Sequence, residues 1–459
     1  MSQVLPKDVP PTLRRWKLYS AYKDSGVEWL GEIPEHWEIT KLGAKCSVKA
    51  RLGWKGLKAS EYVDDGYIFL STPNIKEKNI DFEDVNYITA NRYFESPEIM
   101  LEVDDVLIAK DGSTLGIVNV VRSLPAPTTV NSSIAVIRHK KSFDSVFLYY
   151  FLASDYTQNV IQRMKDGMGV PHLFQADLRK FTVLTPPIPE QQGIASFLDR
   201  ETAKIDALIA KKQRLIELLQ EKHTVIISHA VTQGLDPTVL LKDSGVDWIG
   251  KIPAHWEVRK IKNLCSVVKD GLHETPPKVP EGIPFISTQH VRNRYIDLER
   301  ATFISKDDYE KGHPRIAPSP GDVLITLVGS IGFAAILKPE FYPISFTRHV
   351  GYVRPKSNLT ANYLLNYVES SPFRTFLDLE VSQTAQPSIY LRSLAEHVIP
   401  VPPVDEQNYI VAHLDRETAK IDALIAKIRE GIEKLKEYRT ALISAAVTGK
   451  IDVRNEVAS

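Results

Sequence analysis

The acidic, basic and histidine side chains of this chain are not spaced for catalysis. A restriction-type nuclease core places a carboxylate two residues before a lysine, to hold Mg²⁺ and activate water, and neither Asp-x-Lys nor Glu-x-Lys occurs. An adenine methyltransferase needs an Asn-Pro-Pro-aromatic loop, but residues 185–188 and 401–404 read TPPI and VPPV, and no G-x-G-x-x-G or Walker A sequence is present. His36 and His255 each precede a tryptophan in a repeated segment, where packing is the expected role. The sequence therefore contains no catalytic constellation.

The overall charge gives no evidence for a nucleic-acid ligand, so any such surface must be local. Lysine and arginine together number 57, as do aspartate and glutamate, and the pI is about 7.2. Residues 43–60 (GAKCSVKARLGWKGLKAS) nevertheless hold five basic side chains, one tryptophan and no acidic residue. This composition is typical of a loop that contacts phosphates, and a solvated basic face is the alternative.

Composition and cysteine use are those of a soluble globular protein, with 43% apolar and 25% charged residues. No run approaches the roughly 18 apolar residues of a membrane span. The N-terminus has no apolar signal-peptide core, which predicts a cytoplasmic protein that does not enter a membrane. Cys46 and Cys265 lie in equivalent contexts without metal-ligand spacing, so each is predicted to fill a buried niche and not to form a disulfide.

The chain is a tandem duplication. Residues 198–211 read LDRETAKIDALIAK, and residues 414–427 repeat all fourteen letters. Upstream, KDSGVEWLGEIPEHWEITKL from Lys23 is echoed by KDSGVDWIGKIPAHWEVRKI from Lys242. Between these repeated segments the two copies barely match. The sequence therefore predicts two units that share a fold and differ in their surface residues.

Each copy of LDRETAKIDALIAK belongs to a predicted long helix. Prolines and acidic residues precede it, as suits a helix start, and Gly234 and Gly449 are predicted stops. About 44 residues at 1.5 Å each give a rod on the order of 65 Å. Heptad-like spacing predicts that the two helices form an antiparallel coiled coil, although separate packing of each helix on its own domain is the alternative. The predicted seam residues are Ile205, Leu208, Leu215, Leu219, Ile226, Ile421, Leu424, Ile428, Leu435 and Leu442.

The two poorly matching regions, about 40–185 and 258–401, are predicted to be mixed α/β. Short β-rich runs such as YIFLS (67–71), DVLIAK (105–110) and DVLITLVG (322–329) are followed by helix candidates near 143–164 and 360–377. The predicted fold class is therefore mixed α+β with a pseudo-twofold internal repeat. The predicted division is an N-terminal extension (1–22), a first variable domain (23–185), a first long helix (186–235), a second variable domain (236–401), and a second long helix with its tail (402–459).

With these features in place, the chain resembles the specificity (S) subunit of type I restriction-modification systems over essentially its whole length. The resemblance rests on the DSGVEWLGEIPEHWE segment and its second copy, the PPIPEQQGIA and PPVDEQNYI helix openings, the duplicated LDRETAKIDALIAK, and the two intervening variable regions.

This resemblance implies a double-stranded DNA reader without catalysis of its own. Each variable domain would be a target recognition domain for one half of an asymmetric bipartite sequence, and the paired helices would fix the gap. The implied partners are two methyltransferase subunits, which carry S-adenosylmethionine, and restriction/translocase subunits, which carry ATP and Mg²⁺. No cofactor or metal is expected on this chain.

Candidate DNA contacts lie in the basic segment and in polar loops that recur in both halves. Arginine suits guanine and asparagine or glutamine suits adenine, while glycine allows a close backbone approach; ordinary turn chemistry is the alternative for each loop. The candidates are Lys49, Arg51, Lys55, Lys58, Asn74, Lys76, Lys110, Ser113, Thr114, His172, His290, Arg292, Asn293, Arg294, Ser330, Arg348, Gln383 and Gln386.

The repeated tryptophan segment is predicted to be architectural, because a reader of two different sequences would not keep its reading surface constant. Trp29, Trp37, Trp248 and Trp256 are expected to dock this segment against the helix ends. Two other functions compete with DNA reading: a coiled-coil scaffold that binds only proteins, and a self-sufficient modification enzyme, which the missing motifs disfavour.

Overall fold

The computed structural model of this protein describes residues 16–51, 57–76, 79–165, 172–292, 294–381 and 388–456. The chain divides into two compact units, of which unit 1 comprises Met1–Lys211 and Glu430–Ser459 and unit 2 comprises Lys212–Arg429. Each unit therefore contains the start of one long helix and the end of the other.

Unit 1 is built on a four-stranded antiparallel sheet of order β4-β10-β7-β8 and a three-stranded sheet of order β6-β5-β9. Two further strand pairs, β1-β2 and β11-β3, hold the segment around Trp37. The strands are β1 (Tyr22–Asp24), β2 (Glu32–Pro34), β3 (Glu38–Lys41), β4 (Cys46–Lys49), β5 (Tyr67–Leu70), β6 (Asn86–Ile88), β7 (Val106–Ala109), β8 (Val118–Val120), β9 (Thr128–Val130), β10 (Ile134–His139) and β11 (Thr182–Thr185). The helices are α1 (Leu42–Lys45), α2 (Ala90–Phe94), α3 (Ser145–Ala153), α4 (Asp155–Lys165), α5 (Gln175–Lys180) and the start of α6 (Ile188–Gln233).

Unit 2 repeats this plan, with a four-stranded sheet of order β15-β23-β20-β21 and a three-stranded sheet of order β19-β16-β22. The strands are β12 (Leu241–Asp243), β13 (Lys251–Pro253), β14 (Glu257–Lys260), β15 (Cys265–Asp270), β16 (Ile283–Ile286), β17 (Val291–Arg292), β18 (Tyr295–Ile296), β19 (Thr302–Ile304), β20 (Val323–Thr326), β21 (Ala334–Ile336), β22 (Ser345–Phe346), β23 (Val350–Pro355) and β24 (Val398–Val401). The helices are α7 (Ile261–Leu264), α8 (Lys306–Gly312), α9 (Ala361–Val368), α10 (Ser371–Val381), α11 (Leu391–Glu396) and the start of α12 (Val404–Val447). The predicted mixed α+β repeat is confirmed.

The core of each unit lies between the four-stranded sheet and its helices. In unit 1 the almost wholly apolar α3 is buried against the sheet, and in unit 2 α9 takes the same place. The predicted helix candidate in each half is divided in two, because α3 ends at Ala153 before α4 begins and α9 ends at Val368 before α10 begins. Cys46 and Cys265 occupy equivalent buried positions as free thiols. Burial raises the pKa of each to about 12, which keeps both thiols protonated and unreactive.

The two long helices pack antiparallel. Unit 1 joins the first half of α6 to the end of α12, where Arg439 Nε lies 3.3 Å from Asp206 Oδ1, while unit 2 joins Ile227 near the end of α6 to Leu414 near the start of α12. The helix starts after the prolines and the stop of α6 before Gly234 are as predicted.

The predicted seam is correct in one of its two rows and wrong in the other. Ile205, Ile421, Ile428 and Leu442 are buried, and Leu219, Ile226 and Leu435 are half-buried. Leu208, Leu215 and Leu424, in contrast, are 43%, 43% and 44% exposed. The second row falls four residues after the first, not three, so that Ile209, Ile216, Ile425 and Ile432 take the contacts. The predicted second row is therefore displaced by one residue. The displacement arose because Leu208 and Ile209, like Leu424 and Ile425, are adjacent apolar residues, either of which could belong to the seam.

A glutamate at the start of each long helix anchors the repeated tryptophan segment. Glu190 accepts hydrogen bonds from Trp37 Nε1 at 3.0 Å and from His36 Nε2 at 2.8 Å. Glu406 binds Trp256 Nε1 at 3.1 Å and His255 Nε2 at 2.8 Å in the same way. The docking of this segment against helix ends is confirmed for these two fully buried tryptophans.

The other two tryptophans of the segment are less deeply buried. Trp29 is 54% exposed beside the guanidinium of Arg163, so its predicted docking is wrong. Trp248 stacks on His397, with ring centroids 6.4 Å apart.

Glycine is required where each long helix meets its tryptophan. Gly449 has φ +71°, and a Cβ there would lie 2.3 Å from Pro34 Cδ and 3.1 Å from Trp37 Cζ3. Gly234 has φ +74° and a Cβ there would lie 3.3 Å from Trp256 Cζ2. A larger residue at either position would be strained and crowded, so the two glycines set the close approach of helix end and tryptophan.

Candidate nucleic-acid interface

In unit 1, three loop segments meet at one edge of the four-stranded sheet, where β7 ends and β10 begins. The backbone amide of Lys110 donates to Ser133 O at 2.7 Å, and Leu173 N donates to Lys110 O at 2.9 Å. These hydrogen bonds join segments 110–114, 131–133 and 172–175, which we call the loop edge of unit 1. The glycine turn at Gly112–Thr114 projects from it.

Unit 2 forms the same edge with the same backbone hydrogen bonds. Leu327 N donates to His349 O at 2.8 Å, and Ile389 N donates to Leu327 O at 2.8 Å. These bonds join segments 327–333, 347–349 and 388–390, the loop edge of unit 2. We call this pair of backbone hydrogen bonds, which is the same in both units, the backbone ladder. Because the loops that it joins carry different side chains, the two loop edges share a backbone geometry and differ in surface chemistry.

A buried aspartate fixes the opposite end of each sheet. Asp105 is fully buried and accepts from Arg138 Nε and Nη2, both at 2.7 Å. Asp322 accepts from Arg354 Nε and Nη2 at 2.7 and 2.9 Å. The carboxylate hydrogen bonds raise the pKa of each arginine above its usual range. This bidentate geometry locks β7 to β10 and β20 to β23, and so holds the loop edges in place.

Several predicted contact residues are exposed at or near the loop edges. Lys49 ends β4, Ser113 and the half-buried Thr114 lie in the glycine turn, and Ser330 and Arg348 occupy the edge of unit 2. Lys58 is exposed at the end of the basic segment. Lys76 is exposed but forms an ion pair of 2.6 Å with Asp81.

Three predicted base readers are buried and have structural roles, so their assignment is corrected. Arg51 is 3% exposed and donates to Val130 O and Ser96 Oγ. Asn74 and His290, 4% and 5% exposed, occupy equivalent positions at the ends of short 3₁₀ turns. Asn74 Oδ1 accepts from Ser71 N at 2.8 Å, and His290 Nδ1 accepts from Ser287 N at 3.0 Å. The same amide and imidazole chemistry that reads bases is used here to cap turns.

Lys110 and Arg294 are likewise occupied within their own units. Lys110 is 5% exposed, and burial lowers the pKa of its ammonium group. Arg294 donates from Nε to both carboxylate oxygens of Glu369, at 2.9 and 3.0 Å, and its Nη1 lies 3.5 Å from Asp415 Oδ1. The prediction of base contact is corrected for the buried Lys110, and it stays a prediction for Arg294, whose side chain is 31% exposed.

Two further candidates are partly exposed and held in fixed orientations. The Arg292 guanidinium lies 4.8 Å from the centre of the Phe333 ring and donates to Thr288 O at 3.0 Å. His172 pairs through Nδ1 with the Asp111 carboxylate. Lys55, Asn293, Gln383 and Gln386 lie outside the described residues.

Two exposed aromatic rings at the loop edges are not among the predicted contacts. Phe174 is 52% exposed and Tyr390 is 67% exposed, and each directly precedes a short helix, α5 or α11. The signal was present in the sequence, because an aromatic residue recurs 216 residues later, the same interval that separates the two LDRETAKIDALIAK copies.

An arginine from each variable region also pairs with the first aspartate of LDRETAKIDALIAK, Asp199 or Asp415. The sequence did not indicate this pairing. In unit 1, Arg122 Nη1 and Nη2 donate to Asp199 at 3.0 and 2.9 Å. In unit 2, Arg294 approaches the equivalent Asp415. The two arginines occupy unrelated positions in their domains, so the pairing could not be read from the repeat.

The described part of the chain holds neither a cluster of metal-ligating side chains nor a helix fit to span a membrane. Over those residues, no three histidine, cysteine, aspartate or glutamate side chains are grouped so that they could hold a metal ion. Within the same residues, no helix combines the length and apolar character that crossing a membrane requires.

Comparison with known proteins places the two halves in one family. Residues 34–218 and 253–434 each match the type I restriction modification DNA specificity domain. The chain is 24% identical over 432 residues to the MjaVIII specificity subunit of Methanocaldococcus jannaschii, covering 92% of this chain and 95% of that protein. It is 22% identical over 439 residues to the EcoKI specificity subunit of Escherichia coli K12, covering 92% and 90%.

Solved structures show the same fold. The HsdS subunit from Thermoanaerobacter tengcongensis aligns with a TM-score of 0.53 at 18% identity, over 93% of this chain and all of that one. A chain from a study of the assembly and conformational transition of the type I R-M system aligns with a TM-score of 0.64 at 20% identity, over 90% and 98%. With two specificity domains that together span most of its length, the chain belongs to the family of type I restriction-modification DNA specificity subunits.

Proposed function

We propose that this protein is the DNA-reading subunit of a type I restriction-modification complex and that each unit reads one half of an asymmetric bipartite target. The observation that carries the proposal is the repeated loop edge: the same backbone hydrogen bonds, Lys110–Ser133–Leu173 and Leu327–His349–Ile389, hold loops that carry different side chains in the two units, such as His172 in unit 1 and Ser388 at the equivalent bridge in unit 2. A reader of two unlike half-sites needs this combination of constant frame and variable surface. The recognition domains are residues 23–185 and 236–401.

The side chains proposed to contact DNA are those at or near the loop edges that remain available. Lysines and arginines there position the protein on phosphates, and the polar turns approach base edges. The proposed contacts at or near the edges are Lys49, Lys76, Ser113, Thr114, His172, Arg292, Ser330 and Arg348. Lys58, exposed beside Glu61 away from the edge, is proposed as a phosphate contact only. Because net charge is zero, the contribution of this local basic surface should be salt-dependent and modest without partner subunits.

The long helices are proposed to set the gap between half-sites and to dock two methyltransferase subunits. Leu208 and Leu424 are equivalent members of LDRETAKIDALIAK and are 43% and 44% exposed. An apolar side chain exposed at the same place in two identical helical segments supports two copies of one partner. Restriction/translocase subunits complete the proposed complex, which acts in the cytoplasm.

Methylome mapping tests the proposed function. The chain is expressed with its methyltransferase subunit, and methylated adenines are mapped across the genome of the host. The expected result is two unlike half-sites around an unspecified gap. One contiguous palindromic motif would contradict the proposal. A complex whose DNA binding is neither sequence-selective nor salt-dependent would favour the protein-binding scaffold instead.

A further inference from the structure

Phe174 and Tyr390 are the most exposed large apolar side chains on the two loop edges, at 52% and 67%. They are equivalent residues of the two units, and each directly precedes its short helix, α5 or α11. Single exposed aromatics are common on protein surfaces. Two at one structural position, in domains whose sequences match only in short stretches, indicate a function common to both units.

The backbone holds each ring outward. The preceding residues, Leu173 and Ile389, are 2% and 4% exposed and donate their amides to Lys110 O and Leu327 O at 2.9 and 2.8 Å. Phe174 and Tyr390 both have extended backbone angles, with φ −74° and ψ 147° or 139°. Because successive side chains of extended backbone point to opposite faces, burying Leu173 and Ile389 turns the next ring away from the core.

The surroundings of the rings suit a polyanion better than an apolar protein partner. In unit 1 the ring of His172 meets Phe174 edge-on, with ring centroids 4.5 Å apart, and Lys49 and Ser113 are exposed at or near the same loop edge. In unit 2, Arg348 lies in the loop edge and Arg392 follows Tyr390 by two residues, and both side chains are exposed. Two acidic groups lie near the ring in unit 1: Asp111 is paired with His172, and Asp177 in the first turn of α5 lies 3.5 Å from Lys180 Nζ.

We propose that Phe174 and Tyr390 are wedge residues, each of which inserts between two base pairs of the half-site that its own unit reads. The inference rests on the proposed DNA-reading function and adds to it a named contact. Apolar side chains inserted at a base step partly unstack it and kink the duplex. Pyrimidine–purine steps unstack most easily, so each ring selects such a step without hydrogen-bonding to a base.

The test uses the complex of this chain with its methyltransferase subunits and duplexes that carry the mapped target. A 2-aminopurine is placed at successive steps of either half-site, because its fluorescence rises when it is unstacked. For Phe174→Ala we expect binding about 10-fold weaker, which corresponds to the loss of one stacking contact. The fluorescence rise should disappear only in the half-site read by unit 1. Tyr390→Ala should do the same in the other half-site, and Tyr390→Phe should behave like the unchanged protein.

Phe94→Ala is the matched control. Phe94 is also strongly exposed, at 60%, but it packs on Tyr67 at the start of β5, away from the loop edge. This variant should change neither the affinity for DNA nor the fluorescence. If the unchanged complex binds selectively and both alanine variants bind and fluoresce like it, the wedge is refuted while the proposed function stands. Loss of methyltransferase assembly would also refute it and would identify the rings as a protein contact. A lowered melting temperature would show that the rings pack within their own units. An unchanged complex without sequence selectivity would overturn the proposed function itself.

Discussion

At the scale of single residues, His397 makes unit 2 sensitive to acid. It is buried among Trp248, Phe373 and Phe376, with Tyr367 Oη 3.1 Å from its Nε2, and burial lowers its pKa to about 3. Since an unfolded histidine has a pKa near 6.5, the unfolded chain binds more protons between pH 6.5 and pH 3, and stability falls as the pH falls through this range. We expect this residue to cost about 2 kcal/mol of unfolding free energy between pH 7 and pH 5.

The substitution that checks this prediction is supplied by unit 1, where Phe181 occupies the equivalent end of α5. His397→Phe should be less sensitive to pH, losing about 2 kcal/mol less than the unchanged protein between pH 7 and pH 5 in denaturant unfolding. Equal losses in the two proteins would show that His397 is not the responsible group.

Single residues are also where prediction from the sequence failed most. Asn74 and His290 have the side chains of base readers and lie in variable loops, yet both cap turns inside the fold. Their roles depend on whether a 3₁₀ turn forms beside them, and that is decided by packing at a distance along the chain. Phe174 and Tyr390 were not predicted as contacts, because an aromatic residue next to an apolar one is ordinarily a core residue.

At the scale of elements, adjacent residues on α12 separate the helix seam from the outward face. Ile425 is 7% exposed, in phase with the buried row of α12, whereas Leu424 is 44% exposed. Ile425→Ala should reduce the free energy of unfolding by about 2–3 kcal/mol, while Leu424→Ala should change it by less than about 0.5 kcal/mol. Leu424→Ala should instead weaken methyltransferase binding, measured by titration of the purified subunits. Equal destabilisation by the two changes would contradict the observed phase of the seam.

The elements themselves were largely predictable. The runs DVLIAK and DVLITLVG form β7 and β20, and the proline-led segments begin α6 and α12, because local patterns and the repeat pointed the same way. The phase of the seam was not predictable, since Leu208 and Ile209 are both apolar and only the partner helix determines which one is buried. The backbone ladder of each loop edge joins residues far apart in sequence, so neither periodicity nor turn chemistry could place them together.

At the scale of the whole molecule, the antiparallel helix pair is the part of the proposed reader that can be lengthened without touching either loop edge. Seven residues inserted in each helix, after Ile216 and after Ile428 in the buried seam, complete two turns and preserve the pattern of contacts. Each helix then grows by about 10 Å, close to three base pairs of DNA. Methylome mapping should recover the same two half-sites with a longer gap.

Binding by the lengthened protein should be weaker, because about three extra base pairs also rotate one half-site by roughly a quarter turn around the duplex. The matched control is an insertion of three residues in each helix, which shifts the seam out of phase, exposes its isoleucines and should lower the melting temperature. An unchanged gap with a stable seven-residue variant would show that the spacing of the half-sites is set by something other than the length of α6 and α12.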